Sequence, residues 1–376
     1  MKEGCIVVLS LLVTINGFTP SGKHGCGSKT SCFGGFGFGE SSSPSQSGKK
    51  KKKGKRLANQ LIPNKNTNEE SFMAKEEKKV DKWGLPIQTE EEILQELFPS
   101  MSAETEIIPV YPGKEYTLPE IQDCLRNQID LNLGQFFDEN GVARQSNGAK
   151  PIQLKLLHQS PPVLAIENLF SDAECQELRN ASSVGHEVSS ATFTGSLSTR
   201  TSTSWFCNYG DVPLLLAKVN RYLNIPLEVM EEPQIVRYQK GQEFSWHYDE
   251  VPNNALENGG QRLATLLVYL SDVASDHGGG TMFRDLKEGY DSESSLVMQP
   301  KLGSALLFFP AKSDGTPDER TLHRSEVMTG DDEKWIIQMW IHEREYKAVL
   351  PIGNSHDLAA DAVRETIVKL GLAKDQ

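Results

Sequence analysis

Hydrophobic positions along the 376-residue chain change their period several times. Lys2 precedes an uncharged, mostly apolar run from Cys5 to Ile15, followed by Asn16-Gly17 and Pro20. Between Glu90 and Phe98 the apolar residues Ile93, Leu94, Leu97 and Phe98 recur at helical spacing, and residues 118–133 repeat that pattern less regularly. Leu169-Phe170-Ser171-Asp172 offers an N-cap before a helix over Ala173–Asn180, and a second helix over Val212–Leu223 is stopped by Asn224-Ile225-Pro226. Beyond Pro233 the texture turns to short β-rich runs: Gln234–Tyr238, Leu263–Leu270, Leu302–Phe309, His323–Met328 and Lys334–His342, punctuated by Gly, Asp and Pro. A helical stretch over Leu358–Leu372 follows. Helices followed by a series of strands predict an α+β domain whose sheets close into a sandwich or barrel.

Composition narrows the choice. With 38% hydrophobic and 24% charged residues, the chain has the material for one domain of ordinary size plus extensions, which excludes a wholly disordered protein. The formal charge of −12 conceals a split: residues 18–68 hold ten Lys and Arg against Glu40 alone, whereas residues 69–376 hold 28 basic and 49 acidic residues. An acidic body argues against gripping a phosphate backbone, because that affinity comes from cations displacing counterions. The basic tract, with its Gly34–Gly39 repeat and Lys49–Lys53 run, cannot bury enough apolar surface to order itself and reads as a tether or targeting segment. The Cys5–Ile15 run has the layout of a cleaved secretory signal, and no later run approaches the length of a membrane-spanning helix. The six cysteines form no CxxC pair and no zinc-finger spacing, so they do not settle the redox compartment.

Chemistry concentrates in the strand-rich half. In extended chain, residues two apart share a face, so His247 and Asp249 in Phe244-Ser245-Trp246-His247-Tyr248-Asp249 can approach one metal ion from the same side. A pair of this kind is common by chance and needs a third ligand. His323 in Thr321-Leu322-His323-Arg324-Ser325 is the candidate, with His277 in a Gly-rich loop and His342 after the last strand as competitors. Two neutral imidazoles and one carboxylate leave about three positions open on an octahedral iron(II), which suits activation of O2. A chelating 2-oxo acid would then need a buried cation for its far carboxylate. Lys334 opens a strand on which Lys334, Ile336, Gln338 and Trp340 share one face, and if that face points inward the ammonium meets the cavity.

These residues carry a resemblance. Arg200-Thr201-Ser202, the run Gln234–Gln242, His247-Tyr248-Asp249, Gly259–Thr265, Gly279-Gly280-Thr281-Met282-Phe283, and His323 through Lys334 to Trp340–Arg344 resemble the prolyl 4-hydroxylase family of iron(II)- and 2-oxoglutarate-dependent dioxygenases. The likeness spans residues 160–344 and is closer to the short plant and algal enzymes than to the collagen-type α subunits, whose peptide-binding region would not fit before residue 150. It implies a double-stranded β-helix, or jelly-roll, with flanking helices. It implies iron held by His247, Asp249 and His323, and Lys334 on the 5-carboxylate of 2-oxoglutarate. Tyr238 and Thr265 match positions that add hydroxyl contacts to that co-substrate, and Trp340 matches an aromatic residue lining the site. Lys334 comes one residue later than the family usually places it, the Asp331-Asp332-Glu333 turn adding the extra position.

The implied domains are a signal peptide (1–17), a low-complexity basic linker or transit segment (18–83), a small accessory region (84–150), the dioxygenase domain (151–346) and a C-terminal helical extension (347–376). The implied reaction converts peptidyl proline to 4-hydroxyproline, consuming O2 and 2-oxoglutarate and releasing succinate and CO2, with ascorbate as the reductant that rescues oxidised iron. The expected partner is a proline-containing peptide or protein, with no nucleic acid and no membrane span once the signal is cleaved; the oligomeric partner is unknown. The leader and family imply the endoplasmic reticulum lumen, the alternatives being a plastid reached through a bipartite leader or an uncleaved membrane anchor. Rival readings are another 2-oxoglutarate oxygenase acting on lysine or a small molecule, and a non-catalytic jelly-roll binding module.

Overall fold

The computed structural model describes residues 88–373 except 103, 145–149, 190–191, 195–196 and 350–353. The expected leader and the basic tract lie outside the described residues. Five helices are present among them: α1 (Glu90–Leu97), α2 (Leu118–Cys124), α3 (Asp172–Asn180), α4 (Pro213–Tyr222) and α5 (His356–Lys369). Local chemistry sets their starts. Thr89 and Ser171 each accept from a backbone N–H three residues on, and Glu92 and Glu174 reach back to the capping backbone, which satisfies donors a helix start leaves open.

The strands in chain order are β1 (Ile108–Pro109), β2 (Gln153–Ser160), β3 (Val163–Glu167), β4 (His186–Ser189), β5 (Thr192–Thr194), β6 (Leu197–Arg200), β7 (Thr203–Phe206), β8 (Gln234–Tyr238), β9 (Phe244–His247), β10 (Arg262–Tyr269), β11 (Thr281–Lys287), β12 (Ser295–Met298), β13 (Ala305–Phe308), β14 (His323–Ser325) and β15 (Lys334–His342). They form two antiparallel sheets. The larger runs β1-β2-β3-β13-β10-β15-β8-β7-β4, and the smaller runs β12-β11-β14-β9-β6-β5. This is the jelly-roll sandwich with outer helices that the strand pattern and the resemblance both imply.

Period-two alternation divides the central strands between two cores. Ala264, Leu266 and Val268 of β10, Ala305 and Leu307 of β13, and Ile337, Met339 and Ile341 of β15 point to one side, where they pack with residues of α2, α3, α4 and α5. The intervening Leu267, Tyr269, Leu306, Phe308 and Ile336 point to the other side, into the second core, where they meet Phe283 and Leu286 of β11 and Leu296 of β12. Central strands buried on both faces explain why these segments read as nearly continuous apolar runs.

The segment expected to be a small accessory region is built into this body. Leu118, Ile121, Leu125, Leu131, Leu133 and Phe137 belong to the same core as the helix-facing side of the large sheet, and β1 extends that sheet through β2. Only α2 and a short 3-10 turn (Leu133–Gln135) replace the longer helix suggested by residues 118–133. The C-terminal helix also docks: α5 packs on α4, Arg221 donates to the Leu372 carbonyl, and the His356 ring lies 4.2 Å from that of Tyr209. Cys124, Cys175 and Cys207 are free thiols, and burial pushes Cys175 and Cys207 up to about 12, so both stay protonated and inert.

A candidate iron and 2-oxoglutarate site between the sheets

Register brings the two histidines together. β14 pairs with β9 so that His323 lies directly opposite His247, and their rings approach to 4.2 Å between centroids. Asp249 follows two residues beyond His247, past the end of β9, and returns its carboxylate to the same face. Its oxygens lie 3.7 Å from His247 Nε2 and 3.8 Å from His323 Nε2. One ligand atom from each of the three residues falls within 4.8 Å of the others, and among the described residues no other cluster could hold a metal.

The protonation states suit a cation. His247 Nδ1 donates to the Ser245 carbonyl at 2.7 Å and His323 Nδ1 to the Thr321 carbonyl at 2.9 Å. A carbonyl can only accept, so each ring carries its proton on Nδ1 and turns the Nε2 lone pair toward the cluster. Burial, reinforced by the neighbouring His323, pushes His247 down to about 3, which keeps it neutral. Burial alone would raise Asp249, but His323, His247, Arg262 and the Thr265 hydroxyl together hold its carboxyl below the ordinary value. The rings are wedged in place: Phe244 stacks 3.6 Å from His247, and Phe308 and Phe283 lie 4.7 and 5.6 Å from His323.

Lys334 faces the same interior from the opposite sheet. It is the first residue of β15, opposite Tyr238 of β8, and is fully buried. Its Nζ donates to Ser325 Oγ at 2.8 Å and lies 5.2 Å from the Tyr238 ring and 5.9 Å from that of Tyr269. Burial without a carboxylate at hydrogen-bond distance lowers its pKa to about 7. The inward face expected for Lys334, Ile336, Gln338 and Trp340 is present: Ile336 packs into the core between the sheets, while the alternating Ile337, Met339 and Ile341 belong to the helix-facing core. The extra residue before Lys334 is absorbed outside the ladder, where Asp331 pairs with Lys240 and Asp332 with His277. Gly279 beside Lys334 has φ +72°, a backbone conformation that strains any side chain, and a Cβ there would also displace the Met328 sulfur.

The remaining expected residues are near, with altered detail. The Thr265 hydroxyl donates to Asp249 Oδ2 at 2.8 Å, so it orients the carboxylate. The buried Tyr238 hydroxyl is hydrogen-bonded by Ser202 and Arg200, and burial raises its pKa, keeping it a phenol. Trp340 lies opposite Thr265 with Arg262 stacked 3.9 Å over its ring, and its indole nitrogen is buried without a partner. The competing histidines are placed elsewhere. His277 is half-exposed and bonds Asp332 at 2.8 Å, while His342 bonds Glu231 at 2.8 Å.

Sequence reasoning missed the supports. Glu231 takes both Arg262 Nε and Nη2, at 2.8 and 2.7 Å, together with His342, and Arg262 Nη1 reaches the Asp249 carbonyl. Arg262 and His342 stood within the quoted motifs, but Glu231 lies 31 and 111 residues from them, and no local pattern joins them. Ser325, the partner of Lys334, was equally hidden.

A jelly-roll with a His-x-Asp and distal His cluster on one sheet and a buried lysine facing it from the other has the parts of an iron(II)- and 2-oxoglutarate-dependent dioxygenase. The donor set fits iron(II), with two neutral nitrogen ligands, one carboxylate and a partly open face. Residues 233–342 match the sequence profile of the 2OG-Fe(II) oxygenase superfamily. Probable prolyl 4-hydroxylase 6 of Arabidopsis thaliana is 34% identical over 58% of this chain and 81% of its own length. Prolyl 4-hydroxylase 2 of the same plant is 29% identical over 60% and 80%. A solved 2-oxoglutarate complex of the viral collagen prolyl hydroxylase of Paramecium Bursaria Chlorella virus-1 is 28% identical, covering 48% of this chain and 94% of that one at a TM-score of 0.39. The chain belongs to the prolyl 4-hydroxylase family of 2OG-Fe(II) oxygenases.

Proposed function

We propose that this protein hydroxylates peptidyl proline at C4, with His247, Asp249 and His323 as the iron ligands and Lys334 as the anchor for the 5-carboxylate of 2-oxoglutarate. The observation that carries the reading is the convergence of that cluster with a buried ammonium on the facing sheet. Iron(II) and 2-oxoglutarate, when bound, supply the oxidising power, coupling release of succinate and CO2 to insertion of one oxygen atom of O2 into a C–H bond. Ascorbate serves as the reductant for oxidised iron.

The chain's own residues do the positioning. Ser245 and Thr321 carbonyls aim the two imidazoles, and the Thr265 hydroxyl turns Asp249. Phe283, Phe308 and Leu306 keep bulk water from the floor between the sheets. Lys334 offers an ammonium whose hydrogen-bond partner among the described residues is the Ser325 hydroxyl, so a carboxylate arriving there gains a strong charge-assisted bond in a dry setting. Trp340 lines the same inner surface as Lys334, with Arg262 stacked over its ring.

The test is direct. A proline-rich peptide incubated with the protein, iron(II), ascorbate and 2-oxoglutarate should gain the mass of one oxygen atom, located on proline by fragmentation. Succinate formed without a modified proline, or with the oxygen on lysine, would assign the protein to another substrate. We further place the protein in the secretory pathway, supported by the charged start and apolar run of residues 1–17. A fluorescent fusion carrying residues 1–68 should label the endoplasmic reticulum; plastid labelling would instead make residues 18–68 a transit segment.

A further inference from the structure

Between α1 and β1, the chain is fastened to residues that adjoin both histidines of the cluster. Phe98 packs edge-on against Tyr248 at 5.8 Å between centroids, and Tyr248 is the residue between His247 and Asp249. Its side chain takes the face opposite those two. Arg284 of β11 donates Nη1 to the Phe98 carbonyl at 2.7 Å and Nη2 to the Pro99 carbonyl at 3.2 Å, while its Nε is held by Asp285. The backbone N–H of Arg284 donates to the Leu322 carbonyl, one residue before His323.

A second clasp is independent of the first. Arg320 donates Nη1 to the Glu106 carbonyl at 2.8 Å and to Ser160 Oγ, while Nε and Nη2 grip Asp318. Asp318 begins the turn that ends at His323, and Thr321, whose carbonyl orients His323, bonds back to the Asp318 carbonyl. Ile107, next along the chain, packs into the core between the sheets. These fastenings fall where the ladders are weakest. Asp249 lies beyond the end of β9, and His323 belongs to a strand of only three residues.

We propose that Phe98, Pro99 and Glu106 form a strap that positions the metal ligands, acting on Asp249 and His247 through Tyr248 and on His323 through Arg284 and Arg320. This rests on the assignment of those three residues as ligands. Positioning groups of this kind govern metal affinity without touching the ion, typically by a factor of about 10 to 100.

The test measures Mn(II) binding to the full chain by equilibrium dialysis, alongside thermal unfolding. Phe98→Ala and Arg284→Ala should each raise the Mn(II) Kd about ten-fold or more, while Phe98→Tyr, which keeps the ring, should bind as the original does. Phe98→Leu keeps apolar bulk and serves if the alanine variant does not fold; it should weaken binding to a lesser extent. A lowered Tm with unchanged Mn(II) affinity would make the strap merely structural and overturn the proposal. His323→Ala separates the two levels. If that variant binds Mn(II) as well as the original protein, the ligand assignment itself fails; if only the strap variants do, the strap alone fails.

Discussion

Replacing His323 with Ala is expected to reduce peptide-dependent succinate formation by roughly a thousandfold or more, the scale of several kcal/mol that a bound ion contributes at the reacting centre. His323 is one of two nitrogen donors in the cluster, is buried, and has no nearby substitute: His342 is held by Glu231 and His277 by Asp332. His277→Ala, which removes only a half-exposed surface pair, should leave turnover within about a factor of two. Parallel assays of the two variants at saturating iron settle the matter. Equal losses, or a greater loss at His277, would overturn the ligand assignment.

Lys334→Met should raise the KM for 2-oxoglutarate by about 10- to 100-fold while changing the KM for peptide little, because a hydrogen bond to a charged group is worth about 1.5–3 kcal/mol. Met fills the volume without the charge, so the fold should survive. The depressed pKa of Lys334 adds two signatures of opposite sense. Co-substrate affinity should decline as pH rises through about 7, since above that point binding must recharge the amine. Stability of the unliganded protein runs the other way. Between about 7 and the ordinary lysine value of 10.5 the unfolded chain holds a proton that the folded chain lacks, so this group's contribution to stability rises with pH across that window. Lys334→Met should therefore raise Tm more at about pH 6, where the buried ammonium is charged, than near the upper end of the window. A KM for 2-oxoglutarate that is unchanged in the variant and flat with pH would remove Lys334 from the site.

How far the molecule could be read from its sequence depended on the range of each interaction. Strands β8 and β15 were bounded correctly because their runs are apolar and delimited by Pro, Gly and Asp. Strands β4 to β7 were missed: Ser and Thr abound in them, and their pairing is fixed by partners far along the chain. The His-x-Asp pair was visible as geometry, and His323 was favoured over its competitors because it opens a strand, whereas His277 lies in a Gly-rich loop and His342 follows the last strand; the family likeness agreed. The register that sets His323 opposite His247 appears only in the fold. Thr265 shows the limit most clearly. Its place was marked by the resemblance, yet its hydrogen bond to Asp249 follows from how the two sheets face each other. The built-in packing of residues 118–137 was hidden for a similar reason, since amphipathic spacing reveals a buried face without naming the surface that covers it.

The division of the site between two sheets has a further outcome. On the proposed roles, with the imidazoles on one layer and the ammonium on the other, the gap across the sandwich would act as a caliper for the length of the keto acid. Phe283, Phe308 and Leu306 act as its spacers, though none of them offers a polar atom to the ligand. Trimming Leu306, the one of the three that does not pack on the His323 ring, should therefore loosen discrimination between dicarboxylic acids that differ by one methylene.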